Sequence, residues 1–358
     1  MSKTKSVRRR GLGVSVFLGA MWVFATHCGA QDWITPQSCA ISGEMATAAT
    51  MPSAGGISGV AKAKDIANGT GRLWRVTSPD GARSYLWGTM HSSDRLILDL
   101  PDEVTKAVGQ ASALVLEYLP GAQSRVELEE RALQAGVWIA PDDAAYDHGY
   151  LDARLRPWVE DRVAAMTGDQ AALLKLTDAG LASLLLSDPC EDFAAGVLPI
   201  QDYRLYLSAY EAGVPVKGLE SWDAFLVEMS QHDRQKTARA ISEIYGTYLN
   251  PADFTAARAA SFGLYRQGRI GEMMASNQIY LRDFYGKKKA AELSALADGY
   301  MIVERNHTFL RAMRKFLDAG NAVIAVGVFH LPGDDGLIEG LRRAGYRVVR
   351  QPVEGEAE

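Results

Sequence analysis

The stretch that decides the fold is "AVIAVGVFHLPGDDGL", residues 322–337. An apolar run comes first, Gly327 ends it, and His330 follows three positions later. A short apolar run bounded by turn residues predicts a strand buried on both faces, as in a parallel sheet. The same spacing occurs in "SYLWGTMHSSD", residues 84–94, where an apolar run leads through glycine to His91. We predict that each glycine lets the backbone turn sharply, so that the histidine points back over the sheet edge.

The segments around these two strands predict an α/β fold. "RLWRVT" and "RSYLWGT" flank a Pro-Asp-Gly turn signal and predict an antiparallel hairpin. "ALVLEY", "VPVKGLE" and "YRVVRQPV" predict further strands, and apolar residues at three- and four-residue spacing predict helices between them. The layout indicates a mainly parallel central sheet with the hairpin at one side, flanking helices and a helical insertion at about 122–212.

The ends of the chain differ from this pattern. Residues 1–30 contain a basic start, an apolar core and a small-residue cleavage site, which predicts a signal peptide. Residues 31–70 are rich in small residues without periodicity and predict a disordered linker. We therefore predict an α/β domain over 71–352, followed by a loose tail at 353–358.

The leader bears on location, charge and cysteine chemistry. It predicts a periplasmic or secreted protein, and an uncleaved N-terminal membrane anchor is the alternative. Residues 1–30 hold five basic and no acidic residues, so their removal takes the net charge from −5 to −10. An acidic exported chain argues against nucleic-acid binding. Cys39 and Cys190 remain outside the leader, either as a disulfide or as two unpaired thiols.

Ionisable residues stand at or just beyond the ends of four predicted strands: His91, Glu117, Glu220 and His330. Ligands bind at the carboxyl ends of the strands in open α/β sheets, and imidazole with carboxylate is a donor set for divalent metals. The other interpretation is that each is a loop residue with a satisfied hydrogen bond. Arg305 falls on the apolar stripe of the last long helix, where a charged group requires a partner. It either reaches the strand-end carboxylates or stabilises an oxyanion in the transition state, and the other interpretation is a structural ion pair with an acidic neighbour.

Other polar residues carry weaker signals. Asp202 is interpreted as a first-turn acidic residue favoured by the helix dipole, with a place facing the site as the alternative. His148 and His232 lie in polar helical surroundings and are predicted to be solvated. The sequence has no G-x-S-x-G, H-E-x-x-H, P-loop or dinucleotide motif.

The chain resembles the TraB/GumN family, which includes the Tiki proteins and is related to erythromycin-esterase-like and ChaN-like proteins. The resemblance runs from about Leu73 to Val349, through "YLWGTMHSS", "ALVLEY", "VPVKGLES", "VERN" and "VIAVGVFHLPGDDGLIEGLRRAGYRVV". It implies an α/β fold and metal-dependent hydrolysis, as in Tiki metalloproteases that use manganese or cobalt. Carried over by motif, it implies central histidines at 91 and 330, an acidic partner at 117 and a site arginine at 305.

These observations predict an exported metal-dependent hydrolase that acts on peptides or esters. We expect a divalent ion, Mn, Co or Zn, held by His91, Glu117 and His330. Glu220 would transfer a proton and Arg305 would stabilise developing negative charge. One alternative is a metal-free hydrolase in which a histidine acts as the base. The others are a haem- or iron-binding protein and a non-catalytic accessory protein for envelope or polysaccharide assembly.

Overall fold

The chain is described by a computed structural model. The described residues are 36–48, 63, 65–119, 138–139, 146–190 and 200–356. The predicted signal peptide and the first part of the predicted helical insertion lie outside these ranges. Within them, no helix combines the length and the apolar character needed to cross a bilayer.

A six-stranded sheet lies at the centre of the described chain. Its strands are β1 Leu73–Thr77, β2 Arg83–Thr89, β3 Ala113–Tyr118, β4 Val216–Glu220, β5 Ala322–Gly327 and β6 Arg347–Gln351. The order across the sheet is β4-β3-β5-β2-β1-β6. Strands β4, β3, β5 and β2 pair in parallel, whereas β1 pairs antiparallel with both β2 and β6. The mainly parallel sheet and the antiparallel hairpin are therefore confirmed, with β6 covering the far side of the hairpin.

The pattern of the strand sequences explains their places in the sheet. The continuous apolar runs of β3 and β5 are buried at nearly every position, because helices cover both faces of a parallel sheet. Strand β4 is at the edge, and its Lys217 is exposed. A charged residue on an edge strand discourages pairing with another chain.

Helices surround the sheet. They are α1 Pro36–Cys39, α2 Gly43–Ala48, α3 Arg95–Leu98, α4 Asp102–Gly109, α5 Arg156–Thr167, α6 Asp178–Leu186, α7 Gln201–Glu211, α8 Ala224–Met229, α9 Gln235–Thr247, α10 Phe254–Arg266, α11 Ile270–Tyr285, α12 Lys287–Asp298, α13 Arg305–Ala319 and α14 Leu337–Arg343. A π-helical segment, Gly299–Glu304, leads directly into α13. Helix α7 packs against α4, β3 and β4, and helix α13 packs against β3, β4 and β5.

The predicted insertion at 122–212 differs from the structure at its end. Helices α5 and α6 contribute to apolar clusters separate from the sheet core. Helix α7, however, places Leu205 and Ala209 in the same buried cluster as the strands. Residues 201–211 therefore belong to the layer that covers the sheet, because their apolar stripe packs directly on β3 and β4.

The predicted linker also differs from the structure. Residues 36–48 form α1 and α2, and α2 packs against α10. Cys39 forms a disulfide with Cys190, across a sequence separation of 151 residues. This selects the disulfide from the two states left open by the sequence. Ordering of this segment follows from a covalent tie that composition does not reveal.

The predicted loose tail is fixed at Glu356, whose side chain is fully buried. Its Oε1 accepts hydrogen bonds from the backbone N–H and the Nε of Arg72, at 2.9 and 3.1 Å. Its Oε2 accepts from Arg350 Nη2 at 3.0 Å. The tail therefore closes over the start of β1 through an ion pair.

Replacing Glu356 with glutamine is expected to lower the free energy of unfolding by about 2 kcal/mol, because three hydrogen bonds to a buried carboxylate lose the negative charge of their acceptor. Urea denaturation followed by circular dichroism measures the change. The matched control is Glu354→Gln, at an exposed position two residues earlier, which is expected to change stability by less than about 0.5 kcal/mol. Equal effects of the two substitutions would contradict the anchoring role.

Candidate functional site

Four predicted site residues lie side by side along one edge of the sheet. Strands β4, β3, β5 and β2 are parallel neighbours, so their carboxyl ends meet at the same edge. Glu220 and Glu117 come from β4 and β3, and His330 and His91 follow β5 and β2. The strand order therefore places the two carboxylates beside each other, and then the two imidazoles.

Glu117 occupies the centre of this edge and is almost fully buried. Its Oε1 accepts a hydrogen bond from the Gly327 backbone N–H at 2.6 Å, and its Oε2 accepts from Arg305 Nη2 at 2.6 Å. Burial alone would raise the pKa of Glu117. The guanidinium of Arg305, together with nearby imidazoles and the Gly327 N–H, outweighs burial and holds that pKa well below its usual range. Glu117 is therefore a permanent carboxylate at physiological pH.

The glycines of the two Gly-x-x-His stretches allow close packing rather than a special backbone turn. Gly327 has a φ of −50°, which any residue adopts. A Cβ at Gly327 would lie 3.1 Å from Glu117 Oε1, and a Cβ at Gly88 would lie 2.5 Å from Val328 Cγ2. The predicted role of the glycines in turning the chain is wrong, because Gly327 supplies space for the Glu117 carboxylate and Gly88 supplies space for the Val328 side chain just after β5.

His330 is buried and its tautomer is set by Asn306. The Nδ2 of Asn306 donates to two backbone carbonyls, those of His330 and Asp335, at 3.2 and 2.9 Å. These bonds fix the amide, so its oxygen faces His330 Nδ1 at 2.7 Å and requires a proton there. The Nε2 of His330 therefore carries the lone pair in the neutral ring, 3.6 Å from Glu117 Oε1.

Electrostatics keep this imidazole neutral. Burial lowers the pKa of His330 to about 3, against the opposing attraction of the Glu117 carboxylate. Arg305 and His91 add to the lowering. His330 thus presents an unprotonated Nε2 at every physiological pH, which is the form that binds metals.

Arg305 joins the two strand-end carboxylates. Its Nη2 donates to Glu117 and to Glu220, and its Nε donates to Glu220 Oε1 at 3.1 Å. It is the first residue of α13, directly after the π-helical segment, and π-helical turns often occur at functional sites. Glu304, the acidic neighbour in sequence, pairs with Arg234 instead. Arg305 therefore reaches the carboxylates at the strand ends, which was one of the interpretations of its place in the sequence.

Glu220 and Glu117 share this cation but differ in acidity. Burial raises the pKa of Glu220, and the attraction of Arg305 only partly offsets that effect. The repulsion from the Glu117 carboxylate acts in the same direction as burial. Of the two carboxyl groups, Glu220 is consequently the one that more readily takes up a proton.

Asp202 also faces the site, which was the alternative to its interpretation as a first-turn acidic residue. Its Oδ1 accepts from Thr89 Oγ1 at 3.3 Å, whereas its buried Oδ2 has no hydrogen-bond partner and lies 3.6 Å from His91 Nε2. Burial raises the pKa of Asp202, with His91 opposing. The signal in the sequence was its spacing: Asp202 is three residues before Leu205 and lies on the buried stripe of α7.

The remaining histidine predictions have mixed outcomes. His232 is exposed, as predicted. The prediction for His148 is wrong: the side chain is fully buried, with Nε2 3.1 Å from the carbonyl oxygens of Leu173 and Leu176 and Nδ1 3.5 Å from Asp178 Oδ1. Its polar sequence neighbours gave no indication that α6 would cover it.

The donor atoms at this edge, imidazole nitrogens and carboxylate oxygens, are of the types that bind divalent metals. His330 Nε2 has a lone pair and Asp202 Oδ2 is a buried oxygen without a hydrogen bond. The pairs His330–Glu117 and His91–Asp202 each bring two donors to 3.6 Å, close to the roughly 3–3.5 Å that separates two ligands of one ion with bonds of about 2.1 Å. Within the described ranges, no three His, Cys, Asp or Glu side chains are arranged to hold an ion together.

Comparison with known proteins gives one result. The sequence model described as the TraB/PrgY/gumN family matches residues 72–350, from just before β1 into β6. This span contains the whole sheet edge described above, and it confirms the resemblance read from the motifs. No curated protein and no solved structure matches the chain.

Proposed function

The chain belongs to the TraB/PrgY/gumN family, and from that premise we propose that it is an exported metal-dependent hydrolase of peptide or ester bonds. The observation that carries the proposal is the unprotonated Nε2 of His330, held beside the permanent carboxylate of Glu117. A neutral imidazole next to a carboxylate at the end of a parallel strand is a donor pair for a divalent ion. The predicted leader and the Cys39–Cys190 disulfide support export.

In this proposal His330 and Glu117, from the sheet centre, and His91, from the neighbouring strand, are the residues that would hold the ion. When bound, a divalent ion such as Mn, Co or Zn supplies Lewis-acid polarisation and makes water acidic near neutral pH. Asn306 fixes the ring of His330, which is the supporting role usual for the partners of metal-bound histidines. His91 is half-exposed, so it marks the side open to substrate.

Glu220 and Arg305 have separate roles in the proposed reaction. Glu220 exchanges a proton with the reacting water or leaving group, because its raised pKa lets it hold a proton nearer to neutral pH than Glu117 does. Arg305 stabilises negative charge on the substrate oxygen through its fixed guanidinium. Its bonds to two carboxylates hold that guanidinium in place before substrate arrives.

A second route through the same site needs no ion. The His91–Asp202 pair has the arrangement of a general base and the carboxylate that orients it. His330 does not suit this role, because a pKa of about 3 makes it a weak base. The 3.6 Å separation of His91 Nε2 from Asp202 Oδ2 is what favours this second candidate.

Metal content of the purified protein tests the proposal. We expect close to one ion per chain after chelation and reloading with Mn, Co or Zn, measured by inductively coupled plasma mass spectrometry. His330→Ala and His91→Ala are expected to lose it, because each removes one imidazole donor.

The matched control is His232→Ala, an exposed histidine away from the sheet edge, which is expected to bind like the wild type. Peptide and ester substrates are then screened with the loaded protein. The His91–Asp202 route would replace the metal route under three results together. The wild type would take up no metal, it would still hydrolyse substrate, and Asp202→Asn would lose that hydrolysis. A strong visible absorption band would point to haem binding instead.

A further inference from the structure

We infer that Asp188 and the Cys39–Cys190 disulfide are positioning elements for His91, and that its loop is fully fixed only in the oxidised chain. The inference deepens the proposed function and rests on it for the role of His91. It arises from a buried polar network that contacts residues 92–94, which directly follow His91 in the chain.

In the loop between β2 and α3, each of residues 92–94 is held by a hydrogen bond to a distant segment. Ser92 and Ser93 are buried, although serine is usually exposed. Ser92 Oγ donates to Asp188 Oδ2 at 2.7 Å, and the Ser93 backbone N–H donates to the same oxygen at 3.1 Å. Ser93 Oγ donates to the Cys190 carbonyl at 3.1 Å, and Asp94 Oδ2 accepts from the Ile41 N–H at 3.2 Å.

Asp188 is the centre of this network. Its Oδ1 accepts from the Cys190 backbone N–H at 3.0 Å and from Arg258 Nη1 at 2.7 Å. Burial would raise the pKa of Asp188, but the guanidinium of Arg258 and the hydrogen bonds from Cys190 and Ser92 together lower it. One carboxylate thus joins the His91 loop, the 188–190 turn and helix α10.

The disulfide connects the two segments that hold the loop. Residues 188–190 contact Ser93 through the Cys190 carbonyl, and residues 39–41 contact Asp94 through the Ile41 N–H. Without the bond, Cys39 and Cys190 are 151 positions apart in the chain, and no covalent link holds their segments together. The bond therefore closes a ring that runs through the loop, the turn and the N-terminal helices.

The consequence is a site that is completed by oxidation. His91 is the least buried member of the sheet edge, and its side chain makes a 3.6 Å contact with Asp202, which is longer than a hydrogen bond. Its position therefore depends on the backbone of the following residues. Before the disulfide forms, the part of the edge contributed by β2 lacks one of its two supports.

Local hydrogen exchange tests this inference on the whole chain. Both oxygens of Asp188 accept hydrogen bonds. In Asp188→Asn the amide N–H₂ therefore faces a hydrogen-bond donor in either orientation of the amide. We expect the amides of residues 92–99 to exchange about tenfold faster, because charge-assisted hydrogen bonds are lost. The amides of β5, Ala322–Gly327, are expected to keep their rate. The second variant, Cys39→Ser with Cys190→Ser, is expected to accelerate the same residues while Asp188 remains.

A second readout follows His91 itself. In protein with ¹³C-labelled histidine, the Cε1–Hε1 signal of His91 is expected to move towards the signals of the exposed His232 and His307 in both variants and in wild type treated with a reductant. The matched control is Ser112→Ala, which removes a serine donor to the Gly320 and Asn321 carbonyls at the opposite sheet edge. It is expected to leave the His91 signal in place.

Unchanged exchange of residues 92–99 and an unchanged His91 signal in the disulfide-free variant would overturn the inference. If Asp188→Asn unfolds the protein, exchange accelerates everywhere and the double serine variant decides. Neither readout needs a metal or a substrate. A protein with the expected loop response but no hydrolysis would therefore keep the loop assignment and reject the proposed function alone.

Discussion

Replacing Arg305 with methionine is expected to lower the free energy of unfolding by about 4 kcal/mol at pH 7. Methionine keeps the volume and the apolar stem but removes the only guanidinium that joins Glu117 and Glu220 among the contacts of the described chain. Two buried carboxylates then face each other without a cation. Such unpaired buried charges cost more than the loss of an exposed ion pair.

The loss is expected to depend on pH, with a sign that identifies its cause. In the wild type Glu117 has a lowered pKa, so it stabilises the fold above its unfolded pKa of about 4.5, and that stability is lost as pH falls. Without Arg305, burial raises the pKa of both carboxyl groups above their unfolded values. Carboxyl groups of that kind destabilise the fold at neutral pH and recover stability as protonation begins. The difference between variant and wild type should therefore shrink from pH 7 to pH 5.

Urea denaturation at pH 7, 6 and 5 measures this difference. Arg311→Met is the matched control, because Arg311 is exposed on the same helix and its substitution should change stability by less than about 0.5 kcal/mol at each pH. A deficit for Arg305→Met that stays constant or grows on acidification would show that packing, rather than the carboxylate pair, is responsible.

Replacing Asn306 with leucine is expected to move the proton of His330 from Nδ1 to Nε2. Leucine is close to asparagine in size but offers no acceptor to Nδ1 and no donor to the carbonyls of His330 and Asp335. The ring then gains most by donating from Nε2 towards Glu117 Oε1, now 3.6 Å away. The lone pair that the proposed metal site requires would be lost, although every proposed ligand remains.

The same substitution is expected to lower the free energy of unfolding by about 3 kcal/mol, because buried polar groups lose their partners. Two-dimensional ¹H–¹⁵N spectra of histidine side chains distinguish a protonated ring nitrogen from an unprotonated one. The signals of His148 and His232 serve as internal controls, since Asn306 contacts neither ring. Finding His330 Nε2 unprotonated in Asn306→Leu would mean that Asn306 does not set the tautomer.

The sequence was sufficient for the sheet and for much of its functional edge. Continuous apolar runs such as 113–118 and 322–327 predict strands buried on both faces, and parallel strands end at one edge. Any ionisable residue at the end of such a run therefore lies near the others. This is why His330, Glu117 and Glu220 lie along one edge, although no two of them are close in the chain.

What the sequence did not predict depends on contacts between distant segments. Asp202 enters the site because α7 packs on β3 and β4, and its spacing alone also fitted a surface helix start. Asn306 was not among the site residues predicted from the sequence, because its role requires the backbone carbonyl of Asp335 to lie across from it. His148 is buried by a helix thirty residues later in the chain. Such placements follow from packing, which local periodicity does not encode.

The antiparallel pairing of β1 with β6 makes the domain suitable for insertion into other proteins and for circular permutation. Because β1 pairs with β6, with Leu73 opposite Gln351, the first and last strands of the family domain are neighbours about 5 Å apart. A domain whose ends meet can be spliced into a surface loop of a host protein without stretching either partner. The candidate site is carried by β2, β3, β4 and β5, so a circularly permuted chain that joined these two ends and opened outside those strands would retain the whole edge in its present order.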